Sequence, residues 1–130
     1  MLFGSSGIRK LFAQELLSLG PLVGAAVASD AKRVVLATDS RTSRNTLSDV
    51  ILSGLISGGA EVLFGGIAPT PSVALAAGKA DAGVMITASH NPENYNGYKL
   101  FRPDGSSYTV AQQEEIERRI ENPVYVAWDK

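Results

Sequence analysis

Short apolar runs alternate with segments of helical periodicity along most of this chain. The run at 33–38 is rich in β-branched residues and predicts a strand, and the runs at 60–64 and 82–87 predict two more. From 43 to 57, apolar residues recur every three to five positions, which is typical of an amphipathic helix. Strands that alternate with helices predict an α/β fold, a three-layer α/β/α arrangement around a mixed, mostly parallel sheet.

Turn-forming and capping residues divide the rest of the chain. We expect a loop at 65–71, with Thr70 as the cap and Pro71 as the first residue of a short helix that ends near Gly78. Thr109 is expected to cap a last helix over 110–121. Two helices are predicted over 11–19 and 21–29, separated by Gly20. A strand is predicted over 97–102, followed by a turn at Pro103-Asp104-Gly105. The apolar stretch at 123–128 indicates either an edge strand or the cut end of a longer polypeptide.

Composition limits the possible functions. The chain has 130 residues, of which 45% are hydrophobic, enough for a single domain over residues 1–130. Twelve basic residues against thirteen acidic ones give no electrostatic reason to expect a nucleic acid or an anionic membrane as a partner. The absence of cysteine excludes disulfides, cysteine-ligated metals and thiol nucleophiles. With no secretory leader and no run of transmembrane length, we expect a cytoplasmic protein.

The most informative segment follows the predicted strand at 82–87 and reads Ala88-Ser89-His90-Asn91-Pro92. Ligands of open α/β sheets bind beyond the carboxyl ends of the strands, so Ser89 is the candidate reactive group. A hydrolase triad needs a base from a separate element, but the one histidine of the chain is adjacent to Ser89. There is also no Gly-x-Ser-x-Gly elbow.

Phosphoryl transfer fits the residues better, because it depends mainly on positioning and on stabilisation of charge. Cationic side chains in or next to predicted loops are Arg9, Lys10, Arg41, Arg44 and Lys99. Other interpretations stay open: Ser89 as an ordinary turn residue, and residues 4–7 as a flexible leader that lacks the P-loop pattern. For Asp39 we favour a structural role in a capped loop before the helix at 43–57.

Three motifs together resemble the α-D-phosphohexomutase family, the phosphoglucomutases and phosphomannomutases. They are Phe3-Gly4-Ser5-Ser6-Gly7-Ile8-Arg9, Thr87-Ala88-Ser89-His90-Asn91-Pro92 and Asn96-Gly97-Tyr98-Lys99. The resemblance covers essentially the whole chain and corresponds to the first of the four domains in those enzymes. It implies that Ser89 carries a phosphoryl group between the 1- and 6-positions of a hexose phosphate through a bisphosphate intermediate.

The resemblance also implies a cofactor and roles for further residues. A phosphate oxygen on Ser89 would help to bind Mg²⁺, together with three aspartates of a second domain, and a hexose 1,6-bisphosphate would be the activator and intermediate. Lys99 and His90 would lie in the acid/base neighbourhood, and Arg9 beside the phosphoserine. Substrate or phosphate binding is expected from Ser6, Arg41 and Asn91.

Some features of the family pattern differ or are missing. Ser5 replaces the usual threonine, and Lys10 stands where glycine is common. Ser6 resembles the glucose and mannose mutases more than the phosphoglucosamine mutases, which usually have aspartate there. The Asp-Gly-Asp-Gly-Asp-Arg metal loop, the sugar-reading loop and the carboxyl-terminal phosphate loop do not occur. We therefore expect this chain to act on a hexose phosphate only together with the remaining mutase domains. The alternatives are a non-catalytic module that binds sugar phosphates and an assembly piece that packs against those domains.

Overall fold

The computed structural model describes residues 2–4 and 7–127, which form one mixed sheet with helices on both faces. The sheet has six strands in the order β1-β2-β6-β5-β3-β4. The elements are β1 (Phe3–Gly4), β2 (Gly7–Leu11), α1 (Gln14–Ala28), β3 (Arg33–Thr38), α2 (Arg44–Ser57), β4 (Glu61–Ile67), α3 (Thr70–Ala76) with a following 3₁₀ turn (Ala77–Lys79), β5 (Ala82–Ile86), β6 (Tyr95–Phe101) and α4 (Val110–Glu121). The predicted α/β class is confirmed.

Strand direction follows from the length of the connections. β3 is parallel to both of its neighbours, β4 and β5, and helices lie in the connections from β3 to β4 and from β4 to β5. The chain passes from β5 to β6 through a loop without a helix, and such a short connection produces an antiparallel pair. β2 and β1 extend the antiparallel part. The parallel part of the mixed sheet is therefore confined to β3, β4 and β5.

Alternating side chains of β3 enter different cores. Val34 and Leu36 belong to the larger core, which is formed with α1, α2 and α4. Val35 and Ala37 belong to the smaller core under α3, together with Met85 of β5. Because successive residues of a strand point to opposite faces, one apolar strand serves both cores. This arrangement confirms the three layers.

Helix α1 differs from the two helices predicted over 11–19 and 21–29. It runs without a break from Gln14 to Ala28 and contains both Gly20 and Pro21. A Cβ atom on Gly20 would lie 2.3 Å from a methyl carbon of Val50, and one on Gly54 would lie 2.1 Å from the carbonyl oxygen of Pro21. Gly20 therefore permits close packing of α1 on α2, and the predicted helix break at this position is wrong.

The predicted loop at 65–71 is also partly wrong. β4 continues through Gly65 and Gly66 to Ile67, with a shift of register opposite Leu36 and Ala37. Gly66 has a φ of +68°, so these glycines form a β-bulge in an edge strand and do not end the strand. Helix α3 begins at Thr70, and its N-cap is Pro69, one residue before the predicted cap.

The ends of the chain show the remaining differences. The apolar stretch at 123–127 forms no strand, although the N–H of Val126 donates to the carbonyl oxygen of Ser57 at 2.9 Å. Residue 128 of the predicted strand lies outside the described residues. Near the other end, β1 and β2 occupy part of the segment interpreted as a possible leader. Within residues 2–4 and 7–127, no helix has the length and hydropathy needed to cross a membrane.

Candidate active site

Ser89 lies at the edge of the sheet where β3 and β5 end. All five residues of β5 are buried, and the chain emerges through Thr87 and Ala88 to an exposed Ser89. The loop after β3 begins at Asp39, whose N–H donates to the carbonyl oxygen of Ile86 at 3.0 Å. The two loops are thus side by side, and the serine lies where open α/β sheets bind ligands.

The backbone of Ser89 is held in an unfavourable conformation. Its φ is +54°, the one positive φ of a non-glycine residue within the described parts of the chain. A left-handed backbone costs an L-residue roughly 1–2 kcal/mol. The N–H of Ser89 donates to Thr87 Oγ1 at 3.0 Å, and the Thr87 hydroxyl donates to Asp39 Oδ2 at 2.7 Å. These two hydrogen bonds connect the serine turn to the neighbouring loop.

The guanidinium of Arg41 makes the largest set of contacts with residues 89–95, which we call the serine loop. Arg41 is only 8% exposed, and an arginine side chain has five N–H donors. All five have acceptors: Nε donates to Asp39 Oδ2 at 3.2 Å, Nη1 to the carbonyl oxygens of Pro92 at 2.6 Å and Tyr95 at 3.3 Å, and Nη2 to those of Ser89 at 3.0 Å and Asn91 at 2.8 Å.

These contacts show how the serine loop is held. A hydrogen bond to a charged group contributes about 1.5–3 kcal/mol, so several of them outweigh the strain at Ser89. With its five donors engaged by Asp39 and by backbone carbonyls, the guanidinium has no N–H left for a phosphate oxygen. The contacts therefore show that Arg41 holds the serine loop, and the predicted role of Arg41 in phosphate binding remains a prediction.

Asp39 connects the loop after β3 to the loop after β5. Its Oδ1 accepts from the backbone N–H of Arg41 at 3.0 Å, and its Oδ2 accepts from the side chains of Arg41 and Thr87. Both carboxylate oxygens are thus used within the protein. These contacts agree with the structural interpretation of Asp39.

The two amino-terminal strands bring Arg9 to the same region. β2 pairs with β6 in a register that sets Arg9 opposite Gly97, two residues before Lys99. Paired residues share a face of the sheet, so the side chains of Arg9 and Lys99 lie diagonally on one face. Lys99 is partly buried, with its Nζ 5.3 Å from the centre of the Phe101 ring.

The charge of Arg9 is close to the two loops. Partial burial lowers the pKa of Arg9, and the positive charge of Arg41 lowers it further, while the negative charge of Asp39 raises it. An arginine stays protonated at neutral pH despite such a shift. The region next to the serine loop therefore combines two guanidinium groups with one carboxylate.

The other predicted site residues have simpler surroundings. His90 and Asn91 are exposed on the serine loop. The backbone of Asn91 is fixed, because its N–H donates to the carbonyl oxygen of Ala88 at 3.0 Å. Ser6 lies outside the described residues. The catalytic and binding roles of His90, Asn91 and Ser6 remain predictions.

A metal site cannot be assembled from the described part of this chain alone. Residues 2–4 and 7–127 contain no group of three or more histidine, aspartate or glutamate side chains that could hold a metal ion. Glu93, the carboxylate of the serine loop, accepts from the N–H of Thr42 at 2.9 Å. A magnesium ion would need most of its oxygen ligands from elsewhere, as the resemblance implies.

Two further polar residues were not given a role from the sequence. Asn96 is completely buried; its Nδ2 donates to Ser43 Oγ at 2.8 Å, and its Oδ1 accepts from the N–H of Gly97 at 2.9 Å. Asn96 therefore connects the loop after β3 to the start of β6. In the sequence, Asn96 is the first residue of the third motif, which by itself indicates no role for the side chain.

Comparison with known proteins agrees with this architecture. A family model described as phosphoglucomutase/phosphomannomutase, alpha/beta/alpha domain I, matches residues 1–125. The chain is 42% identical to a phosphoglucosamine mutase of Methanococcus vannielii over 98% of its own length and 29% of that protein. It is 44% identical to a probable phosphoglucosamine mutase of Thermococcus gammatolerans, over 98% of its own length and 30% of that protein.

Solved structures share the fold. A phosphoglucomutase/phosphomannomutase family protein from Burkholderia thailandensis superposes with a TM-score of 0.81 at 28% identity, over 93% of this chain and 30% of that one. A putative phosphomannomutase from Thermus thermophilus gives a TM-score of 0.81 at 27% identity, over 97% of this chain and 32% of that one. The chain thus spans about a third or less of the proteins that it matches. It belongs to the phosphoglucomutase/phosphomannomutase family and corresponds to the α/β/α domain I of that family.

Proposed function

We propose that Ser89 is the phosphoryl carrier of a phosphohexomutase that contains this domain. The observation that carries the proposal is an exposed serine on a firmly held turn at the carboxyl edge of the sheet, in a loop that contacts Asp39 and Arg41. Arg9, whose pKa reflects the charges of both residues, adds a cation near the loop. Membership in the mutase family supports the same role.

The proposed reaction has two transfers. A hydroxyl of the hexose phosphate attacks the phosphorus on Ser89, the bond from phosphorus to Oγ breaks, and a base takes the hydroxyl proton. The resulting bisphosphate returns its other phosphoryl group to Oγ, and an acid protonates the sugar oxygen that leaves. Lys99 is the stronger candidate for these proton transfers, with His90 as a second one. Arg9 stabilises the phosphate charge.

Mg²⁺ belongs to this proposal as a cation that neutralises charge on the transferred phosphate when it is bound. The contribution of this chain to the metal site would be one phosphate oxygen on Ser89. The other ligands would be aspartates of a further mutase domain. The family relationship and the short span of this chain relative to its relatives support that division.

A comparison of substrates tests which hexose phosphate the enzyme uses. The expected substrates are glucose and mannose phosphates, and Ser6 favours them. The names of the relatives favour a second candidate, glucosamine phosphate. Initial rates with the 6-phosphates of glucose, mannose and glucosamine, measured on the full-length protein, would rank the three.

Capture of phosphate on Ser89 tests the carrier role directly. After incubation with a hexose 1,6-bisphosphate and Mg²⁺, we expect the intact mass of the full-length protein to rise by one phosphoryl group, which peptide mapping should locate on Ser89. A Ser53→Ala variant, altered at an exposed serine of α2, should capture phosphate normally. Binding of hexose phosphate without capture would favour the alternative of a non-catalytic module.

Lys99→Met is expected to slow turnover by about 10²-fold, the usual contribution of a general acid or base, with the fold intact. The side chain is only partly buried, so its replacement leaves the cores unchanged. Lys10→Met is the matched control, because Lys10 is on the neighbouring strand and pairs with Glu15 at 2.9 Å. Steady-state kinetics of both variants would decide; equal rates for Lys99→Met and the control would remove Lys99 from the reaction.

A further inference from the structure

We propose that Arg41 is a positioning residue, which sets the backbone of Ser89 for phosphoryl transfer without itself binding the phosphate that is transferred. The inference rests on the proposed function of Ser89. It differs from that function in assigning the geometry of the serine turn to one side chain from the loop after β3.

The N–H donors of Arg41 are distributed over the whole serine loop. Four of the five N–H groups of Arg41 bind carbonyl oxygens, and these belong to residues spread along the whole serine loop from Ser89 to Tyr95. The fifth binds Asp39, which also accepts from Thr87 just before the serine. One rigid, planar group thus fixes both ends of the loop at once.

Arg41 also sets the orientation of one peptide of the serine loop. The C=O of Ser89 points at Arg41, and the structure contains no cis peptide bond in its described residues. In a trans peptide the N–H of the next residue points the opposite way, so the N–H of His90 faces away from Arg41. Arg41 therefore holds the serine loop with a carbonyl turned inward and the adjacent amide turned outward.

The contacts of Arg41 are separate from the two cores that stabilise the fold. The two apolar cores are built without Arg41, and the side-chain hydrogen bonds of Arg41 go to Asp39 and to the serine loop. Removing its guanidinium should therefore release the loop while the sheet and helices remain. Ser89, which holds a left-handed backbone, is the residue expected to relax first.

Arg41→Lys tests the inference in the full-length protein. Lysine keeps the charge, but its single ammonium group has three donors and cannot reproduce five planar contacts. Because a misplaced reacting group can cost about 10²-fold in rate, we expect kcat to fall by roughly that factor. KM for the hexose phosphate should change less than about threefold, since Arg41 has no donor left for substrate. Arg41→Met should behave in the same way.

Arg33→Met is the matched control and should have normal kinetics, because Arg33 lies at the opposite end of β3 and is exposed. Three results would overturn the inference. Wild-type kcat in Arg41→Lys would show that charge alone suffices. A raised KM with unchanged kcat would restore Arg41 to phosphate binding. Failure of both Arg41 variants to fold, judged by circular dichroism and thermal unfolding, would make Arg41 a residue of the fold.

The role of Ser89 is tested separately. If Ser89→Ala keeps full mutase activity, the proposed function fails, whatever Arg41 does. If Ser89→Ala is inactive and Arg41→Lys is normal, the carrier role stands and only the positioning role fails. Amide hydrogen exchange over residues 89–95 gives a second measurement, with faster exchange expected in Arg41→Lys and wild-type rates in Arg33→Met.

Discussion

Ser89→Ala is expected to lower mutase activity of the full-length protein by at least about 10⁴-fold, the scale of loss when the nucleophile of a covalent mechanism is removed. Alanine has no oxygen that could accept the phosphoryl group. Neither His90 nor Asn91, the next side chains of the loop, offers a hydroxyl in place of the missing one.

The same substitution should leave the fold unchanged. Ser89 is exposed, and its backbone N–H and C=O groups make the hydrogen bonds that hold its turn. Alanine and serine meet a similar penalty at a φ of +54°, because both have a Cβ atom. The free energy of unfolding should therefore change by less than about 0.5 kcal/mol, as for other exposed positions.

Coupled-assay rates and urea unfolding of Ser89→Ala should be measured beside Ser53→Ala. The expected result is a variant that is folded, inactive and unable to gain a phosphoryl group. Substantial activity in Ser89→Ala would assign the carrier to another residue. Loss of activity accompanied by unfolding would instead show that the side chain of Ser89 supports the loop, contrary to its exposure.

Elements with a strong local pattern could be predicted from the sequence. β3 has the predicted bounds, β5 ends one residue earlier than expected, and α2 follows the predicted helix after its Ser43 cap position. α4 begins after Thr109, whose side chain forms the capping box with Gln112. In each case the hydrophobic periodicity and the residues that begin or end the element lie close together in the sequence. These elements can therefore be predicted without knowledge of distant contacts.

Elements that depend on distant partners were missed. β1 and β2 are short, and β2 pairs with β6, which lies almost ninety residues away along the chain, as in Arg9 opposite Gly97. The contacts of Arg41 could not be predicted for a similar reason. Four of its five acceptors are backbone carbonyls, which every residue has, so no residue pattern indicates them. The serine itself could be found, because it follows a recognisable buried strand.

Gly97→Ala is expected to lower the free energy of unfolding by about 3 kcal/mol or more, beyond the usual cost of overpacking, because the new atom meets the backbone of β2. A Cβ on Gly97 would lie 1.7 Å from the carbonyl oxygen of Ile8. Neither strand can yield easily: Ile8 is completely buried in the larger core, and the carbonyl oxygen of Gly97 accepts from the N–H of Thr87 at 3.0 Å.

Separation of β2 from β6 would also move Arg9 away from the face that it shares with Lys99, so any folded Gly97→Ala protein should lose activity as well. Gly65→Ala is the matched control, because Gly65 is exposed on the edge strand β4. Its new Cβ would lie 3.5 Å from the Cβ of Ala37, an ordinary contact distance. Urea unfolding followed by circular dichroism would compare the two. A Gly97→Ala protein as stable as Gly65→Ala would mean that β2 can shift without loss. In that event the strand pairing that holds Arg9 near the serine loop would be looser than the register indicates.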